Sequence, residues 1–389
     1  MLFCGSEGGG LGPVNQPGGQ PIIPDYLGPN VRGIVPALLG PSSPGRGWAD
    51  SVPDWMPDAV RAADAVVLLV LDGLGWDQLQ DHAAIAPTLS SMQGRSIHTV
   101  APTTTATALS SITTGLTPGE HGLIGYRMLL GGDVMNVLRW AVGDQQVRRS
   151  HPPRDVQSFQ PFLGEEVPVV AQGELQNSPF SEAHLRGCRP VGWRAPSSIA
   201  VEAAAQVAAG ERFVYCYYNG VDKIAHERGF GDFYDAELRY SDALVADLMS
   251  ALPSGTALLV TADHGQVQVG DRIIHPSSEL LGPVTRQSGE GRFRWFHCER
   301  SDVDSLAAAA RDECGDTAWI VTKDQMLDEK WFGSTVSPPI QRRLGDVALV
   351  AHAPVSFYEE ADSGPFELVC RHGSLTSAEV NVPLLGTLV

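Results

Sequence analysis

Ala65-Val-Val-Leu-Leu-Val-Leu71, running into Asp72-Gly73-Leu74-Gly75-Trp76, decides how this 389-residue chain is read. Seven apolar residues without a polar interruption, three of them valines, do not alternate as a half-solvated strand would. They read as a strand buried on both faces of a parallel sheet. The run ends in an aspartate and a tight glycine turn. Two later stretches repeat the design: Arg212-Phe-Val-Tyr-Cys-Tyr-Tyr218 is soon followed by Asp222, and Thr256-Ala-Leu-Leu-Val-Thr261 leads to Ala262-Asp263-His264-Gly265. Between them lie helical patterns. Val201 to Gly210 is alanine-rich, and Asp232 to Leu252 carries Leu238, Leu244, Val245 and Leu248 at helical spacing. Strands alternating with helices predict an α/β fold with a mostly parallel central sheet and helices on both faces.

Outward from this frame the signals weaken. Residues 1–50 are rich in glycine and proline and read as an irregular arm. Trp48 to Ala63 reads as a short helix, Asp81 to Gln93 as a helix, Ile97 to Val100 as a short strand and Ala106 to Thr114 as a helix. From Gly131 to Arg194 no clean period appears, and part of this segment is expected to form loops over the site. Residues 275–365 differ in texture. Strands are expected at Arg292 to Cys298, Ala318 to Thr322 and Val347 to Ala351, with a helix at Val303 to Arg311. That reads as a small α+β cap inserted into a single domain.

Composition narrows the function. A formal net charge of -18 leaves no surplus of Lys and Arg for a polyanion, so duplex nucleic acid is not the expected partner. A small anionic substrate stays compatible, because bound dications invert the local charge. The six cysteines, at 4, 188, 216, 298, 314 and 370, form no C-x-x-C pair and are expected to be reduced. The N-terminus has neither a basic nor an apolar leader region, and no run approaches the ~18 apolar residues of a membrane span. The expected compartment is the cytoplasm, with export left open.

Chemistry gathers at the strand ends. Ligands in open α/β sheets bind outside the carboxyl ends of the strands, where Asp72, Asp222 with His226, and Asp263 with His264 fall. Asp222 and His226 are four apart, which puts them on one face where the segment is helical. His372-Gly373 adds a further imidazole. Six Asp/His ligands suit two divalent cations, zinc above all, with manganese or iron also accommodated. Ala101-Pro-Thr-Thr-Thr-Ala-Thr107 supplies hydroxyls where a helix begins, a position suited to meeting an anion.

Taken together, V-L-L-V-L-D-G-L-G (67–75), A-P-T-T-T-A-T (101–107), V-D-K-I-A-H (221–226), T-A-D-H-G (261–265) and R-H-G-S-L-T-S-A-E-V-N-V-P-L-L (371–385) resemble the alkaline phosphatase superfamily. Within it the chain is similar to the type I phosphodiesterase / nucleotide pyrophosphatase branch. The resemblance implies one metal on Asp222, His226 and His372, and a second on Asp72, Asp263, His264 and the nucleophile. The family's count from Pro102 and back from Gly115 makes that nucleophile Thr105, with Thr103, Thr104 and Thr107 as positioning hydroxyls. The implied activity is hydrolysis of a small phosphoester or nucleotide through a phospho-threonine.

One departure concerns substrate choice. Where the family's diesterases commonly carry an asparagine, this chain has Tyr126, followed by Arg127; both are candidates to take a phosphate oxygen. A phosphomonoesterase or a phosphonoacetate-type hydrolase is the alternative within the superfamily. A non-catalytic metal- or nucleotide-binding protein is the alternative outside it. Sulfatase chemistry does not fit, because it starts from cysteine or serine in a different motif. His121 reads as structural, His275 as structural or at the entrance, and Trp76 as packing or a base-stacking surface.

Overall fold

The computed structural model describes residues 19–40, 48, 52–362 and 367–389. The arm expected over residues 1–50 therefore lies largely outside the described residues, as does Cys4. The other five cysteines are free thiols.

Eleven strands make up two sheets. They are β1 (Ala65–Leu71), β2 (Gln93–His98), β3 (Pro168–Gln172), β4 (Arg189–Trp193), β5 (Phe213–Tyr218), β6 (Thr256–Thr261), β7 (Arg286–Glu290), β8 (Phe293–His297), β9 (Ala318–Thr322), β10 (Val347–Ala351) and β11 (Asn381–Leu388). The central sheet has the order β2-β11-β6-β1-β5-β3-β4. Its pairings are parallel from β6 through β1, β5 and β3 to β4, and antiparallel only where β11 meets β6 and β2. β1 is buried along its whole length and β6 likewise, which explains their unbroken apolar sequences. The helices Ile199–Ala208 and Asp232–Ala251 pack against this sheet.

The second sheet, order β7-β8-β10-β9, is antiparallel and carries the helix Val303–Cys314. A small antiparallel sheet also runs through residues 127–146.

The structure adds to one local expectation and corrects two. The segment 131–194, whose sequence shows no clean period, supplies β3 and β4 at one end of the central sheet. Pro168 at the first position of β3, and Pro190 and Gly192 in the edge strand β4, masked them, because a strand's first residue and an edge strand tolerate residues that a central strand rejects. The helix expected over Asp81 to Gln93 is two short ones, Trp76–Asp81 and Pro87–Ser91, since Pro87 cannot continue a helix from the preceding turn. Between Trp48 and Ala63 the described residues hold a single 3-10 turn, Asp58–Val60, after Pro57. No helix among the described residues is long and apolar enough to cross a membrane.

Candidate active site

The parallel register carries the carboxylates to one place. Asp72 follows β1, and its N–H donates to the Tyr218 carbonyl at the end of β5 (2.9 Å), while the Asp222 N–H donates back to the Asp72 carbonyl (3.0 Å). The turn between them needs glycine: Gly73 has φ 78°, and a Cβ there would lie 2.8 Å from Asp222 Cα. Asp263, two residues beyond β6, accepts the Gly73 and His264 amides on Oδ1, each at 3.0 Å. Asp222 and His226 sit one turn apart on the helix Gly220–Arg228, with Oδ1 and Nε2 3.2 Å apart.

Each of the three histidines is oriented by a backbone carbonyl. Nδ1 of His226 meets Cys370 O at 2.7 Å, Nδ1 of His264 meets Gly265 O at 3.1 Å, and Nδ1 of His372 meets Thr103 O at 2.8 Å. A carbonyl can only accept, so each Nδ1 carries the proton and each Nε2 presents a lone pair. His264 Nε2 faces Thr105 Oγ1 at 3.1 Å, Asp263 Oδ2 at 3.4 Å and Asp72 Oδ1 at 3.6 Å. His372 Nε2 lies 3.9 Å from Asp222 Oδ1, and its ring stacks on that of His264 with centroids 3.7 Å apart.

Thr105 opens the helix Thr105–Thr114, which ends on left-handed Gly115. Its neighbours hold the loop. Thr103 Oγ1 donates to Ser374 O (2.8 Å) and accepts the Gly373 N–H (3.0 Å), and Thr107 Oγ1 accepts the Gly125 N–H (2.8 Å).

This donor set fits divalent cations. Asp72 Oδ1 and Asp263 Oδ2 are buried with no hydrogen-bond partner, which is costly unless something positive meets them. Burial, then the nearby Asp263 and Asp222, push the Asp72 carboxyl well above the usual carboxylate range. Burial likewise raises Asp263 against the pull of His264. Burial works to raise Asp222 too, but His226, His372 and His264 together hold it low. Buried carboxylates crowded with neutral imidazole lone pairs are ordinary only as metal ligands. Ligand atoms of Asp222, His226 and His372 lie within 4.8 Å of one another, as do those of Asp72, Asp222 and His264. Asp222 therefore stands between the two groups, and Asp263 adjoins the second through His264.

Arg127 is placed differently from the expectation. Its guanidinium is taken up by Glu359 and, at 2.8 Å, by Asp362, with Arg294 bonded to the same Asp362. The two carboxylates satisfy the charge that a phosphate would have engaged. Tyr126 is half-buried beside it. His121 is structural, bonded to Ser111 Oγ (2.9 Å) and accepting the Leu123 amide, and burial lowers it to about 3. His275 is exposed and stacks on Tyr358, while Trp76 packs on the core.

Three polar residues that no motif singled out complete the surroundings. The Tyr217 hydroxyl donates to Asp72 Oδ2, and Gln266 Nε2 donates to Asp222 Oδ1 at 2.9 Å. Glu290, from β7 of the second sheet, is buried 3.6 Å from His372 Nδ1. Gly373, at φ 124°, makes room for it, since a Cβ there would stand 2.8 Å from Glu290 Cγ. Gln266 adjoins D-H-G and Tyr217 ends a strand, so sequence position hinted at both. Glu290 carries no such signal.

Known proteins bear on this arrangement. No curated protein matches the sequence significantly. Solved structures share the fold at low identity. Mouse ectonucleotide pyrophosphatase / phosphodiesterase 5 is 15% identical with a TM-score of 0.61, over 82% of this chain and 87% of that one. An inactive form of the mouse protein in complex with AMP is 14% identical, TM-score 0.61, with the same coverage of 82% and 87%. Phosphonoacetate hydrolase from Sinorhizobium meliloti 1021, in complex with phosphonoformate, is 16% identical with a TM-score of 0.59, over 84% of this chain and 90% of that one. The model of the type I phosphodiesterase / nucleotide pyrophosphatase family matches residues 66–375. With its carboxylates, imidazoles and threonine set at the strand ends of this fold, the chain belongs to the type I phosphodiesterase / nucleotide pyrophosphatase family of phosphoester hydrolases.

Proposed function

We propose that the chain is a two-metal phosphodiesterase or nucleotide pyrophosphatase that acts through a covalent phospho-Thr105. The observation that carries this reading is the convergence on the His264 Nε2 lone pair of Thr105 Oγ1, at 3.1 Å, and of two buried carboxylate oxygens without partners, Asp263 Oδ2 at 3.4 Å and Asp72 Oδ1 at 3.6 Å. Asp222, His226 and His372 would hold one metal, and Asp72, Asp263, His264 and Thr105 the other, with zinc best suited to the donor set. Bound dications supply charge neutralisation at phosphoryl oxygens and lower the pKa of a coordinated hydroxyl.

The chain's own residues do the rest. Thr105 stands at the positive end of a ten-residue helix, which favours an anionic phosphoryl group. Thr103 and Thr107 fix the loop so that Oγ1 faces His264. Thr105 Oγ1 forms its bond to phosphorus as the bond to the leaving oxygen breaks, and the hydroxyl proton is released to solvent. The electron pair of the broken bond leaves with the alcohol or nucleotide. Water then cleaves the phospho-threonine, restoring the hydroxyl and releasing the remaining phosphate monoester. Alignment and charge neutralisation suffice for such transfers, without a separate general base.

Tyr126 in place of an asparagine supports a second reading, a phosphomonoesterase or phosphonoacetate-type hydrolase. Rates on a mono- and diester pair with one leaving group separate the two. Thr105→Ala tests the shared mechanism: hydrolysis of a chromogenic diester should fall by roughly 10³-fold or more, while metal analysis still finds bound zinc. Undiminished turnover would rule out the covalent route.

A further inference from the structure

We propose that Tyr217 is a positioning residue that decides which oxygen of Asp72 meets the metal, a role that rests on the two-metal reading above. β5 and β1 are parallel, with Val70 opposite Tyr217 and Leu71 opposite Tyr218. Alternate residues of a strand share a face, so Val70 and Asp72 project to the same side, and the register puts Tyr217 on that side too. From there the Tyr217 O–H donates to Asp72 Oδ2. The other oxygen, Oδ1, is buried without a partner and lies 3.6 Å from His264 Nε2. The carboxylate is therefore divided: one oxygen is held by the phenol, and one is left facing the His264 imidazole.

Such a division matters because a carboxylate free to rotate can offer either oxygen or both. Asp72 is also crowded by two other carboxylates, buried Asp263 and half-buried Asp222, that oppose its approach. The phenol compensates on the oxygen that is not a ligand, and restricts Asp72 to single-oxygen ligation through Oδ1. Its backbone cannot supply this restraint alone, since the Asp72 amide and carbonyl fix only the main chain. Loss of an outer partner of this kind typically costs about 10- to 100-fold in metal affinity.

The test reads metal binding. Metal-free wild-type protein, titrated with Zn²⁺ against a chromophoric chelator, takes up two equivalents, and His226→Ala identifies the equivalent that does not involve Asp72. Tyr217→Phe removes one hydroxyl and keeps the ring. It should weaken the Asp72-linked equivalent about 10- to 100-fold and leave the other unchanged. In an Asp72→Asn background the same change should have no further effect, because there is no carboxylate left to orient. Wild-type affinity for both equivalents in Tyr217→Phe overturns the proposal, and so does an equal loss in the Asp72→Asn background, which marks a packing effect. Uptake of fewer than two equivalents by wild-type protein is a different failure: it removes the two-metal reading itself.

Discussion

Glu379, in the C-terminal motif, offers a demanding test of how the site is held. Both Glu379 and Arg292 are fully buried, and they form a two-point ion pair, Nε to Oε1 at 2.8 Å and Nη2 to Oε2 at 2.9 Å. Glu379 also accepts the Ser374 N–H (2.9 Å) and the Thr376 hydroxyl (2.6 Å). Arg292 sends its remaining donors to the carbonyls of Ala353, Val355 and Ala351. The pair thus ties the second sheet to the loop that carries His372. Glu379→Gln keeps the shape, leaves Arg292 without a counter-charge and turns one acceptor into a donor facing donors. Breaking a buried pair in this way costs about 3–5 kcal/mol. With an unfolding entropy of about 2.1 cal/mol/K per residue over 389 residues, that is a fall in Tm of roughly 4–6 °C. Differential scanning calorimetry measures it, and zinc content should fall in parallel because Ser374 adjoins the His372-Gly373 pair. Replacing both partners, as Arg292→Met with Glu379→Leu, should recover much of the loss. A Glu379→Gln protein melting within about 1 °C of wild type would refute the assignment of this pair as the tie.

Gly265→Ala should be poorly tolerated, because a Cβ there would lie 2.0 Å from Ala378 O and 2.9 Å from Gly75 Cα. Overpacking of about 1–3 kcal/mol next to His264 should lower both Tm and zinc content, and a variant with normal values for both would contradict that packing. The pH dependence of the metal-free protein should also be distinctive. Burial raises the folded-state pKa of Asp72, Asp263 and Glu290, so the folded chain keeps protons that the unfolded chain has lost. Their contribution to stability is full below the ordinary carboxyl pKa and is lost as pH rises through the raised values. Thermal melts with chelator should therefore show stability falling more, or rising less, as pH rises above about 4 in wild type than in an Asp72→Asn variant, and the Tm gain on adding zinc to wild type should grow with pH as metal takes the place of protons. A zinc-induced gain independent of pH would count against this account.

Much was legible in the chain itself. β1, β5 and β6, the strands that carry the ligands, are continuous apolar runs, and each leads into its aspartate within a few residues. Asp222 and His226 share a helix, Asp263 and His264 are adjacent, and Gly115 ends the helix that Thr105 begins. These are short-range features, and local sterics with hydrophobic periodicity determine them. β3, which opens on Pro168, and the edge strand β4, which carries Pro190 and Gly192, were illegible because both lack the unbroken apolar signature. The tertiary structure decided everything that joins distant residues: carbonyls of Cys370 and Thr103 that set which nitrogen of His226 and His372 is free, Tyr217 on Asp72, and Glu290 behind His372. It also turned Arg127 away from the expected phosphate role by placing Glu359 and Asp362, more than 230 residues later, against its guanidinium. Charge and hydrogen-bond pairing depend on distance in space, and no local pattern encodes which remote side chain the fold will bring within 3 Å.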